Sequence, residues 1–232
     1  MPREYIYKNK KDIKFLFDNV ARRYDLLNRI MTFGFDKSWR KKLTSRLDIV
    51  DNMRILDVGT GTGDIPLSLV FEKDNIMCIG LDFAQNMINM AQKDSNAYKV
   101  QWMSGDAVSL PFRELSFDIV TSSFFIRNIL SPKKSLQEQY RVLEEGGRVF
   151  CLETSPPGYG FLGGFIKLYL LFLPLLGKLI ASDERAYRYL VESTTQFLSA
   201  DEMTDLMMLV GFKEVRSCQM MFGLVSLHWG IK

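Results

Sequence analysis

A chain of 232 residues with 47% hydrophobic content can bury one sizeable core, and a single domain of this length is ordinary for an α/β protein. The net charge of only +3 argues against a dedicated nucleic-acid binder, although the N-terminal part is locally basic. Three cysteines, Cys78, Cys151 and Cys218, are odd in number, lack metal-ligand spacing and fall inside predicted strands. Buried reduced thiols are therefore expected, with no disulfide framework and no metal site.

Residues 1–14 are polar and lysine-rich. That pattern reads against a signal peptide and sets the expectation of a cytoplasmic protein. Ile13, Phe17, Val20, Tyr24 and Leu27 recur at helical spacing, so an amphipathic helix is predicted ahead of any sheet. A second helix is predicted over Lys37–Leu47, and residues 1–50 then read as a helical cap. Strands are predicted at Arg54–Val58, Met77–Leu81, Val100–Ser104, Phe117–Ser122 and Arg148–Glu153. Helices are predicted between them, at Ile65–Phe71, Gln85–Lys93 and Lys133–Val142. This alternation implies a parallel sheet covered on both faces. The stretch Glu145-Gly146-Gly147-Arg148 reads as a turn into the fifth strand. Residues 155–199 read as an inserted helical cap within the same domain, 1–232. A helix over Ala200–Val210 is stopped by Gly211, and Glu214–Cys218 and Leu224–Trp229 read as an antiparallel pair.

The most informative stretch is Asp57-Val58-Gly59-Thr60-Gly61-Thr62-Gly63-Asp64, where a buried strand turns into a helix. Glycines at 59, 61 and 63 permit positive φ and let backbone N–H groups touch a bound molecule. The spacing departs from the dinucleotide fingerprint, and no lysine follows as a phosphate loop requires. Asp57 and Asp64 flank the turn, which suits a cationic or zwitterionic cofactor such as S-adenosylmethionine better than a phosphate. Asp82 ends the second strand, where a carboxylate can accept both hydroxyls of a ribose. In Gly105-Asp106-Ala107, after the third strand, the acid can accept from an adenine amino group while the Ala107 N–H donates to a ring nitrogen. A helix N-cap or a solvated turn is the competing reading for each acid alone. Acids at three successive strand ends favour a ligand, because open α/β sheets bind ligands there.

With the five-plus-two strand plan, these features resemble the class I S-adenosylmethionine-dependent methyltransferases. Four further segments narrow the resemblance: Phe17-Asp18-Asn19-Val20-Ala21-Arg22-Arg23-Tyr24-Asp25-Leu26-Leu27-Asn28, Ser123-Phe124-Phe125-Ile126-Arg127-Asn128, Ala186-Tyr187-Arg188-Tyr189-Leu190-Val191-Glu192-Ser193, and Leu227-His228-Trp229-Gly230. Together they resemble the ubiquinone/menaquinone biosynthesis C-methyltransferases, from about Phe15 to Lys232. The resemblance implies a Rossmann-like, doubly wound, mostly parallel seven-stranded sheet with an antiparallel last strand. It implies a cofactor set of Asp57, Gly59, Gly61, Thr62, Asp82, Phe83, Asp106, Ala107 and Ser123.

Members of that family move a methyl group from a sulfonium to a ring carbon of a polyprenylated quinol. Such a site must orient the carbon and stabilise phenolate charge. Arg127 suits the second task, and a salt bridge to a carboxylate is its competing reading. Asn128 could hold a quinol oxygen, and Tyr24 with Asp25 could close over the pocket, against plain helix packing for Tyr24. His228, the single histidine, is a candidate proton acceptor, with a satisfied strand histidine as the alternative.

Phe125 stands where the family often has glycine, and Thr154 where an aromatic is common, which leaves the quinol open. The stretch 161–180 is the most apolar, but Lys167, Pro174 and Lys178 oppose a membrane span. Both lysines fall on one face at about 100° per residue, as suits a membrane interface, a lipid-tail groove or a buried cap helix. A peripheral membrane contact and a homo-oligomer both stay open. Two rivals remain: a methyltransferase for a sterol or soluble phenol, and a non-catalytic S-adenosylmethionine-binding protein.

Overall fold

The computed structural model describes residues 32–157 and 184–232, together with Ile13, Asp18, Asn28, Arg29 and Tyr169. Most of the expected N-terminal helix, including Tyr24, lies outside the described residues, as does the apolar stretch 161–180 apart from Tyr169.

Seven strands form one sheet: β1 (Arg54–Val58), β2 (Met77–Asp82), β3 (Val100–Ser104), β4 (Phe117–Ser123), β5 (Leu143–Thr154), β6 (Lys213–Met220) and β7 (Val225–Ile231). Their spatial order is β3-β2-β1-β4-β5-β7-β6. Pairs from β3 across to β5 are parallel, and β7 runs antiparallel to both β5 and β6. Six helices complete the description: α1 (Phe35–Thr44), α2 (Asp64–Glu72), α3 (Gln85–Ala91), α4 (Pro132–Val142), α5 (Glu184–Gln196) and α6 (Ala200–Val210).

The apolar runs of the strands follow from burial on both faces. In β1, Ile55 packs with Trp39 and Leu43 of α1 and Ile65 and Leu69 of α2. Its neighbours Leu56 and Val58 pack on the other side with Leu136 of α4 and Met203 and Met207 of α6. Phe117 and Phe150 are fully buried, and each such side chain contributes about 1.5–3 kcal/mol. Helix α6 begins with a capping box: Glu202 N–H donates to Ser199 Oγ at 3.2 Å and Ser199 N–H donates to Glu202 Oε2 at 2.8 Å.

The elements match the expected plan, with differences at their ends. Strand β5 begins at Leu143, so the turn with the glycine pair falls inside the strand's bounds and interrupts its pairing. Leu143 pairs with Phe117, and pairing resumes with Arg148 opposite Ile119. Gly146, at φ 77°, supplies a left-handed residue in that turn. Cys78 and Cys151 are buried as expected, whereas Cys218 on the edge strand β6 is half-buried.

The strand order places the site. The chain steps outward from β1 to β3, then returns to lay β4 on the other flank of β1. The loops after β1 and β4 therefore diverge at a topological switch point, where open sheets leave a crevice.

Candidate active site

The turn after β1 enters left-handed space at Gly59, Gly61 and Gly63, with φ of 72°, 56° and 86°. Its N–H groups do not point at a ligand. Gly59 and Thr60 donate to the Leu81 carbonyl at 2.8 and 3.0 Å, and Gly63 donates to the Thr60 carbonyl at 2.9 Å. Gly61 donates to Asp82 Oδ2 at 2.9 Å. Their donors being committed within the fold, these glycines form no anion cradle; Phe125 packs over Gly59 and Trp102 over Gly63, and only Gly61 has open space where a Cβ would project.

Asp82 is buried at the tip of β2 and ties two loops together. Its Oδ1 accepts from Ala84 N–H at 2.8 Å while Oδ2 holds Gly61. Burial pushes its pKa up, against the N–H groups of Ala84, Gly61 and Phe83. Asp82 borders a cavity at the switch point. Gly59, Phe83, Asp106, Ala107 and Asn128 line the same space, and Ile13 closes part of it. The structure thus brings together most of the expected cofactor residues. Gly61, Thr62, Ser123 and Asp57 line neither this cavity nor the second one below. Asp57 lies behind the turn, accepting from Thr121 Oγ1 at 2.6 Å. Burial pushes its pKa up to about 6, while the Thr121 hydroxyl and the Arg40 charge hold it down.

A second cavity opens on the other side of the loop after β4. Trp39 and Arg40 of α1, Phe124, Arg127, Thr154 and Leu190 are among its walls. Arg127 and Glu153 form an ion pair with both side chains buried. Glu153 Oε2 also accepts from the Arg127 N–H at 3.2 Å, and Oε1 accepts from the Thr154 N–H at 2.8 Å. The Phe124 ring centroid lies 5.2 Å from the Arg40 guanidinium carbon and 5.8 Å from that of Arg127. Arg40 bridges Asp36 at 2.9 Å and Asp64 at 3.3 Å.

Two expected site residues sit differently from the sequence reading. Asn128 lines the first cavity, because the short turn Ile126–Asn128 sends it and Arg127 to opposite sides. Its amide is held by protein at both ends: Nδ2 donates to the Phe124 carbonyl at 3.1 Å, and the Tyr189 hydroxyl donates to Oδ1 at 2.8 Å. His228 is fully buried in β7 and borders neither cavity. Its Nε2 lies 2.9 Å from the Ala200 carbonyl, a contact that requires Nε2–H as donor. Burial lowers its pKa, so the neutral ring ties β7 to the start of α6. Its Nδ1 is buried with no hydrogen-bond partner among the described residues, so the ring is bonded through one nitrogen only. Glu153, Arg40 and Phe124 were not singled out from the sequence. The available signal for Glu153 was its place as a fourth acid at a strand end.

Glycine turn, Asp82 clamp and strand order define the class I S-adenosylmethionine-dependent methyltransferase fold. A solved S-adenosylmethionine-dependent methyltransferase from Thermotoga maritima, described as a possible histamine N-methyltransferase, superposes with a TM-score of 0.67 at 21% identity. That match covers 94% of this chain and 99% of the other. Residues 5–232 match the model of the ubiE/COQ5 methyltransferase family, and the chain belongs to that family. The C-methyltransferase UbiE of ubiquinone/menaquinone biosynthesis from Desulfotalea psychrophila is 37% identical over 230 residues, covering 99% of this chain and 94% of its own. The demethylmenaquinone methyltransferase of Thermus thermophilus is 39% identical over 218 residues, covering 93% and 99% respectively.

Two outcomes are expected from the site's electrostatics. Glu153→Gln leaves the Arg127 charge buried without its counter-ion, which should lower unfolding stability by about 3–5 kcal/mol in urea titrations. Asp57 should release its proton near pH 4 when unfolded but only near 6 when folded. Its contribution is therefore complete below pH 4 and lost as pH rises through 6. Stability of Asp57→Asn should gain on the native protein by about 2–3 kcal/mol across that window, and parallel pH curves for the two would refute the shifted titration.

Proposed function

We propose that this protein transfers a methyl group from S-adenosylmethionine to a ring carbon of a polyprenylated quinol. The observation that carries the reading is the buried Arg127–Glu153 pair at the wall of a largely apolar second cavity, next to a first cavity built around Asp82. S-adenosylmethionine supplies an electrophilic methyl on a positively charged sulfur. The residues of the first cavity fit that group. Asp82 would take the ribose hydroxyls, Asp106 and Ala107 the adenine edge, and the turn after β1 presents no anion cradle.

In the second cavity, Arg127 is the group suited to a quinol oxygen. Methylation at carbon requires electron density to move from a hydroxyl oxygen into the ring, and a fixed cation stabilises the phenolate that develops. Glu153 orients the guanidinium through the ion pair and the backbone N–H, so Glu153 is a positioning residue. Arg40, held by Asp36 and Asp64, adds a second guanidinium on the same wall. Trp39, Phe124, Leu190 and Leu224 provide apolar surface for the ring and the start of its tail.

Among the described residues no helix is long and apolar enough to cross a membrane. We place tail access at the apolar stretch 161–180, resting on a membrane surface through Lys167 and Lys178. Each lysine adds about 1 kcal/mol at an anionic surface, so glutamate at both positions should release the protein from anionic vesicles at low salt. A native protein that ignores such vesicles would rule this contact out.

The reaction is tested in cells lacking the protein. Their quinones, read by mass spectrometry, should include an accumulated precursor lighter by one methyl group. Complementation with Arg127→Lys should restore little product, because a point charge cannot reproduce the planar fork, and loss of one aimed donor costs about 3 kcal/mol, roughly a hundredfold in rate. An unchanged quinone profile in the deletion would overturn the proposal.

A further inference from the structure

Gly59 and Phe125 meet at the switch point, one from the loop after β1 and the other from the loop after β4. The Phe125 ring fills the space where a side chain at position 59 would project. A Cβ built on Gly59 would collide with Cγ and Cδ2 of the ring and lie 2.7 Å from Phe125 Cβ. At Gly61, two residues further along the turn, such a Cβ would meet nothing within 4 Å. One glycine of the turn is therefore covered and the next is open. Phe124, at φ 54°, holds a left-handed conformation that an aromatic residue adopts only under constraint. That conformation turns the two neighbouring rings apart: Phe124 borders the second cavity and Phe125 the first.

Among the described residues none borders both cavities. Arg127 faces one and Asn128 the other, so the segment 124–128 is the partition between them. Methyl transfer requires donor and acceptor to touch, so the partition has to open, and the Phe125 ring packed over Gly59 stands on its first-cavity side.

We propose that Phe125 is a gate on this partition. Its ring closes the partition over Gly59 and turns aside to admit the sulfonium end of the donor. This rests on the reading of the first cavity as the S-adenosylmethionine site. The ring is buried at 8% exposure among core residues that include Leu56, Val58 and Ile126, so the closed position is packed and the open one is the minor state. A binding-competent state populated at about 0.1–10% weakens apparent affinity by about tenfold to a thousandfold. Removing the ring should recover part of that factor. The effect is steric and should be alike for S-adenosylmethionine and for S-adenosylhomocysteine, which lacks the methyl and the charge.

The test measures association rates and dissociation constants of both nucleosides for the native protein, Phe125→Ala, Phe125→Leu and Phe125→Trp, with circular dichroism as the folding control. In Phe125→Ala the association rate should rise about tenfold or more, with tighter binding of both nucleosides to a similar extent. Phe125→Leu should fall between it and the native protein. Phe125→Trp enlarges the ring without emptying the core, and it should slow association. Folded variants that bind at the native rate, or more weakly than native in the alanine and leucine forms, would show that the ring is a support of the site and overturn the gate. Failure of every form, native included, to bind either nucleoside would overturn the cofactor reading and the gate together.

Discussion

The buried ion pair between Arg127 and Glu153 is the interaction on which the site's geometry depends. Two charges withdrawn from water carry a large desolvation cost, and mutual attraction offsets it only when further hydrogen bonds complete the arrangement. Here the carboxylate also accepts the N–H groups of Arg127 and Thr154. One side chain at the end of β5 thus holds both the backbone and the guanidinium of the segment that follows β4. Fixing that segment fixes the alternation of Phe124, Phe125, Arg127 and Asn128 between two cavities. A permanent cation held at the wall of an apolar space is a preorganised response to an anion that exists only during reaction.

Asp82 plays the corresponding part on the other side. Its two oxygens accept from Gly61 and Ala84 and so tie the β1 turn to the β2 turn. Because the remaining N–H groups at Gly59, Thr60 and Gly63 are also bonded internally, the turn presents little positive field. That property separates it from phosphate-binding loops, whose free N–H groups attract anions. The first cavity thus carries the carboxylates of Asp82 and Asp106 with no anion cradle beside them.

Much of this was legible from residue order. Continuous apolar runs ending in an acid or glycine located β1 to β4 within a residue, because strands buried on both faces leave little choice of composition. The acids at 82 and 106 were readable because each stands at a strand end, where topology alone brings them together. Other residues owe their roles to partners remote in sequence. Arg127 reads equally as a catalytic cation or as half of a salt bridge until Glu153 is seen beside it, and it is both paired and facing a cavity. His228 sits in a motif that invites a chemical role, yet only the packing of β7 against the start of α6 reveals the Ala200 carbonyl at its Nε2. Asn128 follows Arg127 directly, but a single 3₁₀ turn separates them by a wall. The start of β5 at Leu143 was not legible, because that residue pairs alone with Phe117 ahead of the glycine turn and regular pairing resumes only at Arg148.

The most direct measurement gives the purified protein a donor with a trideuterated methyl group and a reduced polyprenylated quinol lacking its ring methyl, then locates the deuterium by nuclear magnetic resonance. The predicted result is a new ring methyl that carries the whole label, with both quinol oxygens unmethylated and with transfer greatly reduced in Arg127→Lys. Label on oxygen, or transfer confined to a sterol or a tail-less phenol, would contradict the quinol C-methylation on which the reading of both cavities rests.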